Sequence, residues 1–461
     1  MTHDIRIRRL FEQVAEGKIS RRDALYRAAV LGASATAIGA TGGSAMAQDP
    51  SLVASPGASP AAVSCYMAQG PQVEQLVLWT RSSADTSPNE WNALVAATER
   101  YSELTGTPVE LVTVPDADFR TKLSQAAPGG DGPDVFGPVA HDWIGEVALQ
   151  QIAMPWEEGE LHGLEDIPQS AINAVTYEGQ IYGYPIFSET LGLYYNRDII
   201  SEPPKTWEEL VQKAKDATEG DQFGFAFEIL APYYQGAFFH AYDSYIFKNN
   251  DGTLDFNDIG LNNEGGVEAA KALRDMYWNQ EPPMPEAILD QANAGAYLDG
   301  LFESGQLGMR ISGPWLAPAL RDAGINFGVA PLPTGPNGEL LQPFSGIQVF
   351  EVNAYSDHIE AAKDLVNFLG CEGVSMMIEG FNKPPVRNSL KEKAIDINPD
   401  LAAWMEAAEQ AVPMPNIPQM AQVWQPWTDA MVGIITNNVS DEEVQALLDA
   451  AVEQIKANIQ Q

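Results

Sequence analysis

The sequence predicts an α/β fold built as two lobes, and three observations lead to that prediction. From residue 76 onward, short apolar runs typical of buried strands alternate with capped segments of helical spacing. This alternation continues for about 390 residues, which is more than one ordinary domain contains. Hydrophobic residues make up 45% of the chain and aromatic residues 9%, so the composition is that of a folded protein with a sizeable core.

The first elements predict a β-α-β unit. Residues 76–79 form a short buried-strand run, and a helix is expected to start with Ser87 as its cap and Pro88 in its first turn. Gly106 is expected to end that helix, because glycine tolerates a positive φ. Residues 109–114 form the next strand run. Two strands joined by a helix in this way predict a parallel sheet.

The same pattern recurs along the chain. Residues 134–136 predict another strand after a Gly/Pro turn. Thr206, Asp357 and Ser440 are each followed three positions later by a glutamate and then by an apolar helical stripe. This spacing predicts three further capped helices, the last of them close to the end of the chain.

Residues 1–47 are predicted to be a secretory signal peptide. Arg21 and Arg22 precede a mildly apolar stretch over residues 28–40, and residues 45–47 supply an A-x-A cleavage signal. The paired arginines and the weak hydrophobicity indicate the twin-arginine type. The apolar stretch is too short and too rich in glycine for a transmembrane anchor, so we expect an exported protein located in the periplasm or at the cell surface.

Residues 48–73 are rich in Ser, Pro and Ala and predict a flexible linker. Cys65 lies within this linker and follows a tripeptide that resembles a lipoprotein box. The box lies far beyond the apolar stretch, so the sequence leaves two alternatives, a lipid anchor at Cys65 and no anchor. The second cysteine, Cys371, is expected to be a small buried hydrophobic residue. Two cysteines are too few for a disulfide framework or for a cysteine-rich zinc site.

Charge and motifs exclude several classes of function. The chain has 26 Lys+Arg and 63 Asp+Glu, a net charge of −37, which argues against binding of nucleic acids, polyanions and anionic membranes. The five histidines show no metal-ligand spacing, and no nucleotide or dinucleotide loop or hydrolase motif is present, so we expect neither a cofactor nor an enzyme. Carboxylates are abundant, but a glycosidase pair is defined by two carboxyl groups about 5–9 Å apart across a sugar, and the number of carboxylates does not decide whether such a pair exists.

Aromatic residues next to turn residues are the features that suggest a ligand. Tyr233 follows a proline, Trp315 follows Gly313 and a proline, and Trp424 comes shortly after the proline-containing run 414–420. The apolar face of a pyranose stacks on such rings, and its hydroxyl groups require charged or amide partners. Packing in the core is the alternative for each ring taken alone.

Motifs over nearly all of residues 76–460 resemble those of the maltose/maltodextrin-binding proteins of ABC importers. The matching segments are residues 131–134, 140–142, 184–186, 189–191, 195–198, 203–209, 313–315 and 414–420. The resemblance implies a two-lobed periplasmic-binding-protein fold with a hinge and an interlobe ligand cleft. It places the first lobe at residues 74–187 and 346–394, and the second at residues 192–340 and 400–461.

The resemblance also carries over several sugar contacts by position. These are the carboxylates Asp142 and Glu189 and the aromatic residues Tyr233, Trp315 and Trp424.

The chain departs from the family pattern at other positions of the site. An arginine, Arg120, stands where the family has an acidic residue, and Trp143 replaces a basic residue. Trp143 is expected either to add a stacking face or to lie at the rim, outside the site. The family also has an Asp-Lys pair in the loop after the first strand, and no residues of this chain match it cleanly. Arg81 and Asp85 are weaker candidates for these two sugar contacts.

These observations predict a monomeric, exported solute-binding protein that captures maltose, maltodextrin or a related glucoside by hinge closure. It would dock on the permease subunits of an ABC importer and carry out no covalent chemistry. Binding of another oligosaccharide, such as cyclodextrin, trehalose or sucrose, is the nearest alternative. A secreted glycoside hydrolase is a more remote one.

Overall fold

The structure, a computed structural model, describes residues 65–250, 253–279 and 282–460. The predicted signal peptide, residues 1–47, lies outside the described residues, as does most of the predicted linker. Within the described ranges, no helix has the length and apolar character needed to cross a membrane.

Helices and strands alternate along the described chain, as predicted. The strands are β1 (Leu76–Thr80), β2 (Val109–Thr113), β3 (Val135–Ala140), β4 (Thr176–Tyr177), β5 (Gln180–Ile181), β6 (Gly183–Thr190), β7 (Gly192–Asn196), β8 (Phe223–Ala226), β9 (Phe247–Asn250), β10 (Thr253–Ile259), β11 (Leu307–Ser312), β12 (Phe327–Ala330), β13 (Phe344–Val352) and β14 (Val412–Pro413). The α-helices are α1 (Pro88–Thr105), α2 (Asp116–Ala126), α3 (Ile144–Leu149), α4 (Gln169–Ala174), α5 (Trp207–Ala217), α6 (Pro232–Ala241), α7 (Glu264–Trp278), α8 (Ala294–Glu303), α9 (Ala317–Asp322), α10 (Ile359–Phe368), α11 (Val374–Phe381), α12 (Lys391–Ile397), α13 (Leu401–Ala408), α14 (Trp424–Thr436) and α15 (Asp441–Ile459).

The larger sheet has six strands. Five of them have the order β14-β13-β3-β1-β2, and the sixth, β6, also pairs with β13. Strand β1 runs parallel to both β2 and β3, so the β-α-β prediction is confirmed. Strand β13 returns antiparallel to β3 and β6. Nearly every residue of β3 and β13 is buried, as expected for central strands covered on both faces.

The smaller sheet has the strand order β12-β7-β11-β8. Strand β11 is buried along its whole length; it pairs parallel with β8 and antiparallel with β7. Two antiparallel hairpins, β4-β5 and β9-β10, stand apart from these sheets.

Each sheet forms the centre of one lobe, and one of the crossings between the lobes is very short. Strand β6 ends at Thr190, and only Leu191 separates it from β7 in the other sheet. Gly192 begins β7 at a close approach, because a Cβ there would lie 2.9 Å from the ring of Trp404 and 3.0 Å from the carbonyl of Ala330. The chain therefore crosses between lobes where a larger side chain does not fit, and we identify this crossing as part of the hinge.

Most of the predicted helix ends are confirmed. Thr206 accepts a hydrogen bond from the amide of Glu209 at the start of α5, and Ser440 forms a complete capping box at the start of α15. Gly106 ends α1 in the left-handed conformation. The predicted cap at Asp357 is wrong. Helix α10 begins at Ile359 with no side-chain cap, because the preceding turn is closed by Ser356, whose hydroxyl accepts the amide of His358.

The cysteines differ most from expectation, because Cys65 and Cys371 form a disulfide. Cys371 lies in a π-helical segment, Leu369–Gly373, between α10 and α11. It is buried as expected, but it is not a free thiol. The thioether of a lipid anchor would need the same sulfur atom as the disulfide, so the structure does not support Cys65 as a lipid-attachment site.

Further contacts hold the residues that follow Cys65 against the first lobe. The hydroxyl of Tyr66 donates to Asp364 Oδ2 at 2.9 Å, and the amide of Gln69 donates to Oδ1 of the same carboxylate at 2.9 Å. Cys65, Tyr66 and Gln69 are therefore held against the first lobe, although they lie in the segment predicted to be a flexible linker.

Candidate functional site

A cleft of about 890 Å³ is lined by residues from both lobes. One wall comes from the larger-sheet side, from α2 and the turn His141–Trp143. The opposite wall comes from the start of α6, the turn Pro314–Leu316 and the start of α14. Strands β6 and β13 contribute polar side chains between these walls. A ligand in this cleft would touch both lobes.

The structure brings seven of the eight predicted site residues to the cleft. They are Arg81, Asp142, Trp143, Glu189, Tyr233, Trp315 and Trp424. The eighth, Asp85, is exposed on the turn formed by residues 84–86 and does not line the cleft. That these residues contact a sugar stays a prediction, but their convergence from distant parts of the sequence fits it.

The three predicted aromatic residues share one wall and keep part of their surface exposed. Trp315 is 37% exposed, and Tyr233 and Trp424 are half-buried. Trp424 lies parallel to Trp427 behind it, with centroids 6.4 Å apart, and Tyr233 stacks on Phe344 at 6.1 Å. These supporting rings fix the orientation of the wall. The remaining exposure argues against simple core packing for all three residues.

The local sequence explains the position of Trp315. Its ring lies back over Gly313, where a Cβ atom would be 2.0 Å from the ring carbon Cζ3. The carbonyl of Gly313 accepts a hydrogen bond from the hydroxyl of Tyr194 at 3.0 Å, and the carbonyl of Pro314 accepts one from Asn382 Nδ2 at 3.1 Å. The Gly-Pro-Trp segment is therefore held in place while its indole faces the cleft.

Glu189 lies at the centre of a polar cluster between the walls. Its Oε2 accepts a hydrogen bond from Gln348 Nε2 at 3.0 Å and lies 3.2 Å from Lys383 Nζ. The buried Lys383 also lies 3.6 Å from Oε1 of Glu90. Oε1 of Glu189 has no hydrogen-bond partner among the described residues and is free to accept one from a ligand hydroxyl.

Sequence reasoning missed Lys383 and Glu90 as members of this cluster. Lys383 follows the end of α11 and lies far from Glu189 along the chain. No local pattern marks a lysine for contact with a distant glutamate, so only the tertiary fold reveals this pair.

Arg120 organises the opposite wall. Its Nη2 lies 2.8 Å from Asp142 Oδ2, and its Nη1 lies 2.9 Å from Glu146 Oε2. The guanidinium carbon lies over the ring of Trp143, 4.5 Å from the centroid. Trp143 lines the cleft but is only 5% exposed, and the guanidinium lies over its ring, so little of the indole surface is open to a ligand. A stacking contact of Trp143 with a sugar stays a prediction.

Every cation that lines the cleft within the described chain is paired with a carboxylate. Arg81 lies 2.9 Å from Asp116, Arg120 pairs with Asp142, and Lys383 pairs with Glu189. No cation is left over to neutralise an anionic ligand. Paired charges of this kind offer hydrogen bonds to a neutral polyol.

Behind the cleft, His141 joins three segments of the chain. Its Nδ1 accepts the amide hydrogen of Ile347 at 3.0 Å, so Nε2 carries the proton that is donated to the carbonyl of Met414, also at 3.0 Å. Burial lowers the pKa of His141 and keeps the ring neutral. The histidine thus has a structural role beside Asp142.

The hydroxyl of Tyr233 is buried and has no protein partner among the described residues. Burial, and next the nearby charge of Glu189, raise the pKa of Tyr233 well above its ordinary value, so the phenol remains protonated. A buried polar group without a partner is costly, and a ligand hydroxyl would remove that cost.

Comparison with known proteins places this geometry among sugar-binding relatives. A sequence profile described as bacterial extracellular solute-binding protein matches residues 84–373. A galactooligosaccharide-binding protein of Bacillus subtilis is 31% identical over 394 residues, which cover 84% of this chain and 89% of that protein. A maltodextrin-binding protein of the same organism is 32% identical over 345 residues, covering 72% of this chain and 79% of that protein.

The fold has counterparts among solved structures. The maltotriose-binding protein of Thermus thermophilus, solved with maltotriose bound, superimposes with a TM-score of 0.75 at 31% identity. The superposition covers 83% of this chain and all of that chain.

Proposed function

Because the chain belongs to the family of bacterial extracellular solute-binding proteins, we propose that it captures a neutral malto-oligosaccharide and delivers it to the permease of an ABC importer. The names of two relatives, one that binds maltodextrin and one that binds maltotriose, support the choice of sugar. The sugar would be carried unchanged, with no covalent step.

One observation carries this proposal: three partly exposed rings face carboxylates across an interlobe cleft. The rings of Tyr233, Trp315 and Trp424 would stack on the apolar faces of successive pyranose units. Asp142 and Glu189 each keep one oxygen without a partner among the described residues, and these oxygens would accept hydrogen bonds from sugar hydroxyls.

Binding would proceed by closure of the hinge. The first lobe would comprise residues 74–187 and 346–394, and the second residues 192–340 and 400–461. A sugar that contacts both lobes binds the closed form more tightly than the open form and shifts the equilibrium towards closure. The closed form would then dock on the permease.

Export and assembly complete the proposal. The protein would be secreted through the twin-arginine signal at residues 1–47 and would act as a monomer at the cell surface or in the periplasm. The disulfide between Cys65 and Cys371 fits an oxidising compartment.

Titration calorimetry of the mature chain tests the proposal. Maltose, maltotriose and maltotetraose should release or absorb heat with a saturable isotherm, whereas sucrose, trehalose and a uronic-acid oligosaccharide should not. Absence of binding to every malto-oligosaccharide would refute it. Release of reducing sugar from maltodextrin during incubation would instead indicate a glycoside hydrolase.

A second sugar class belongs in the same titration. A galacto-oligosaccharide is the rival ligand, because a relative that covers 84% of this chain bears that name. Tighter binding of a galactotriose than of maltotriose would replace the maltodextrin assignment but leave the capture mechanism unchanged.

A further inference from the structure

Arg120 has features of a ligand-binding group that nothing in the comparisons assigns. It projects from α2 into the cleft, at a position where the resembling family has an acidic residue. Its side chain is 28% exposed, although both terminal nitrogens form ion pairs. The exposed surface therefore belongs to a group that is already fixed in position.

The contacts of Arg120 determine which surface is available. Trp143 lies against one face of the guanidinium, and Asp142 and Glu146 hold two of its edges. A guanidinium carries five N–H donors, of which the two ion pairs use two. The second face and the remaining donors are left for the cleft.

We propose that Arg120 contacts the sugar directly, as a flat guanidinium platform on the wall opposite Trp315. This inference rests on the proposed function, because it assumes a pyranose ligand. Trp143 acts through Arg120: it supports the guanidinium from behind, and Asp142 and Glu146 prevent its rotation. A sugar ring would lie between a guanidinium on one lobe and an indole on the other.

Only a planar cation can form such a platform, so a lysine cannot replace the arginine in this role. Guanidinium groups stack on flat surfaces and hold a fixed fork of donors, whereas an ammonium is a compact and strongly hydrated point charge. Replacement of Arg120 by lysine keeps the positive charge between Asp142 and Glu146 but removes the platform. The two possible roles, ion-pair clamp and sugar contact, therefore respond differently to this change.

The test is titration of the mature wild-type chain, Arg120→Lys and Arg100→Lys with maltotriose, together with the melting temperature of each sugar-free protein. Arg100 is a matched control because it lies on α1, pairs with Glu103 and does not line the cleft. We expect Arg120→Lys to weaken binding about tenfold or more, as for loss of a hydrogen bond to a charged group. Arg100→Lys should bind within twofold of wild type.

The outcomes separate the two proposals. Binding by Arg120→Lys within twofold of wild type overturns the inference and leaves the proposed function intact. Failure of the wild-type chain to bind any oligosaccharide overturns both.

A measurement on the wild type covers the case in which Arg120→Lys does not fold. The side-chain Nε–H signal of Arg120 is monitored by nuclear magnetic resonance and should shift on addition of maltotriose, while the signal of Arg100 stays in place. An Arg120 signal that remains unchanged at saturating maltotriose overturns the inference.

Discussion

The three rings of the cleft differ from the tryptophans of the core in how much of each ring stays exposed. Trp315 is 37% exposed, whereas Trp427, one ring behind Trp424, is fully buried. A partly exposed ring is available for a ligand and loses less buried area when it is truncated than a fully buried ring does. The two tryptophans therefore provide a matched pair of variants.

Trp315→Ala is expected to weaken binding of maltotriose by about 2 kcal/mol, or roughly thirtyfold, because it removes one complete stacking face. The melting temperature of the sugar-free protein should fall less than it does when the fully buried Trp427 is truncated. Calorimetry and thermal unfolding of the same samples measure both quantities. An affinity close to wild type would show that Trp315 does not contact the sugar.

The control variant, Trp427→Ala, should behave in the opposite way. Loss of a fully buried tryptophan is expected to lower the free energy of unfolding by about 3–5 kcal/mol. A small effect on stability would show that Trp427 is not part of the packed core behind Trp424.

At the scale of elements, one histidine adds a bridge between β13 and Met414, the residue that follows β14. The amide of Ile347 in β13 donates to His141, and His141 donates to the carbonyl of Met414. The bridge needs a neutral imidazole, because a protonated ring has no acceptor for the amide.

Stability is therefore expected to fall as the pH is lowered. Burial depresses the pKa of His141, and likewise that of His240, below the ordinary value of 6.5. Between the folded and unfolded pKa values the unfolded chain binds more protons, so the free energy of unfolding is highest above pH 6.5 and decreases below it. Denaturant titrations from pH 5 to 7 measure the slope.

His141→Gln provides the comparison for that slope. The variant should be less stable at pH 7, and its stability should depend less steeply on pH, with His240 providing the remaining dependence. Identical slopes for variant and wild type would mean that His141 does not titrate with folding.

At the scale of the whole molecule, a single covalent bond joins the start of the described chain to the segment between α10 and α11. The disulfide spans 306 residues in sequence. In the chain-entropy model, a cross-link that closes so long a loop strongly lowers the conformational entropy of the unfolded chain.

Replacement of both cysteines by serine should lower the free energy of unfolding by about 2–5 kcal/mol. Each single replacement should cost nearly as much as the double replacement, because either one removes the same bond. Chemical denaturation measures the loss, and peptide mapping without reductant should recover residues 65 and 371 in one linked pair. Two free thiols in the exported protein would contradict the structure.

Closure of the two lobes is the other property of the whole molecule. In this structure the lobes already touch at one edge, where Asn89 Nδ2 of α1 lies 3.3 Å from Asp322 Oδ2 of α9. Small-angle scattering should show a smaller radius of gyration in saturating maltotriose than without sugar. An unchanged radius, with binding confirmed by calorimetry, would argue against hinge closure but not against capture.

The sequence determined those features whose causes are local. Cap residues with a glutamate three positions later predicted the starts of α5 and α15, and Gly106 predicted the end of α1. The Gly-Pro-Trp segment showed an aromatic residue held at a turn, and Trp315 does line the cleft. Such features depend on a few neighbouring residues, so their physical causes can be read directly from the chain.

The tertiary structure alone decided which distant groups meet. The pairing of Lys383 with Glu189, the contact of Arg120 with the ring of Trp143 and the bond between Cys65 and Cys371 each depend on how remote segments pack. A charge or a thiol has no periodicity and no cap that would name its partner. The energy of these contacts depends on distances of 2–5 Å that only the folded chain creates, so the sequence identified the aromatic residues of one cleft wall but not the partners of the charges around it.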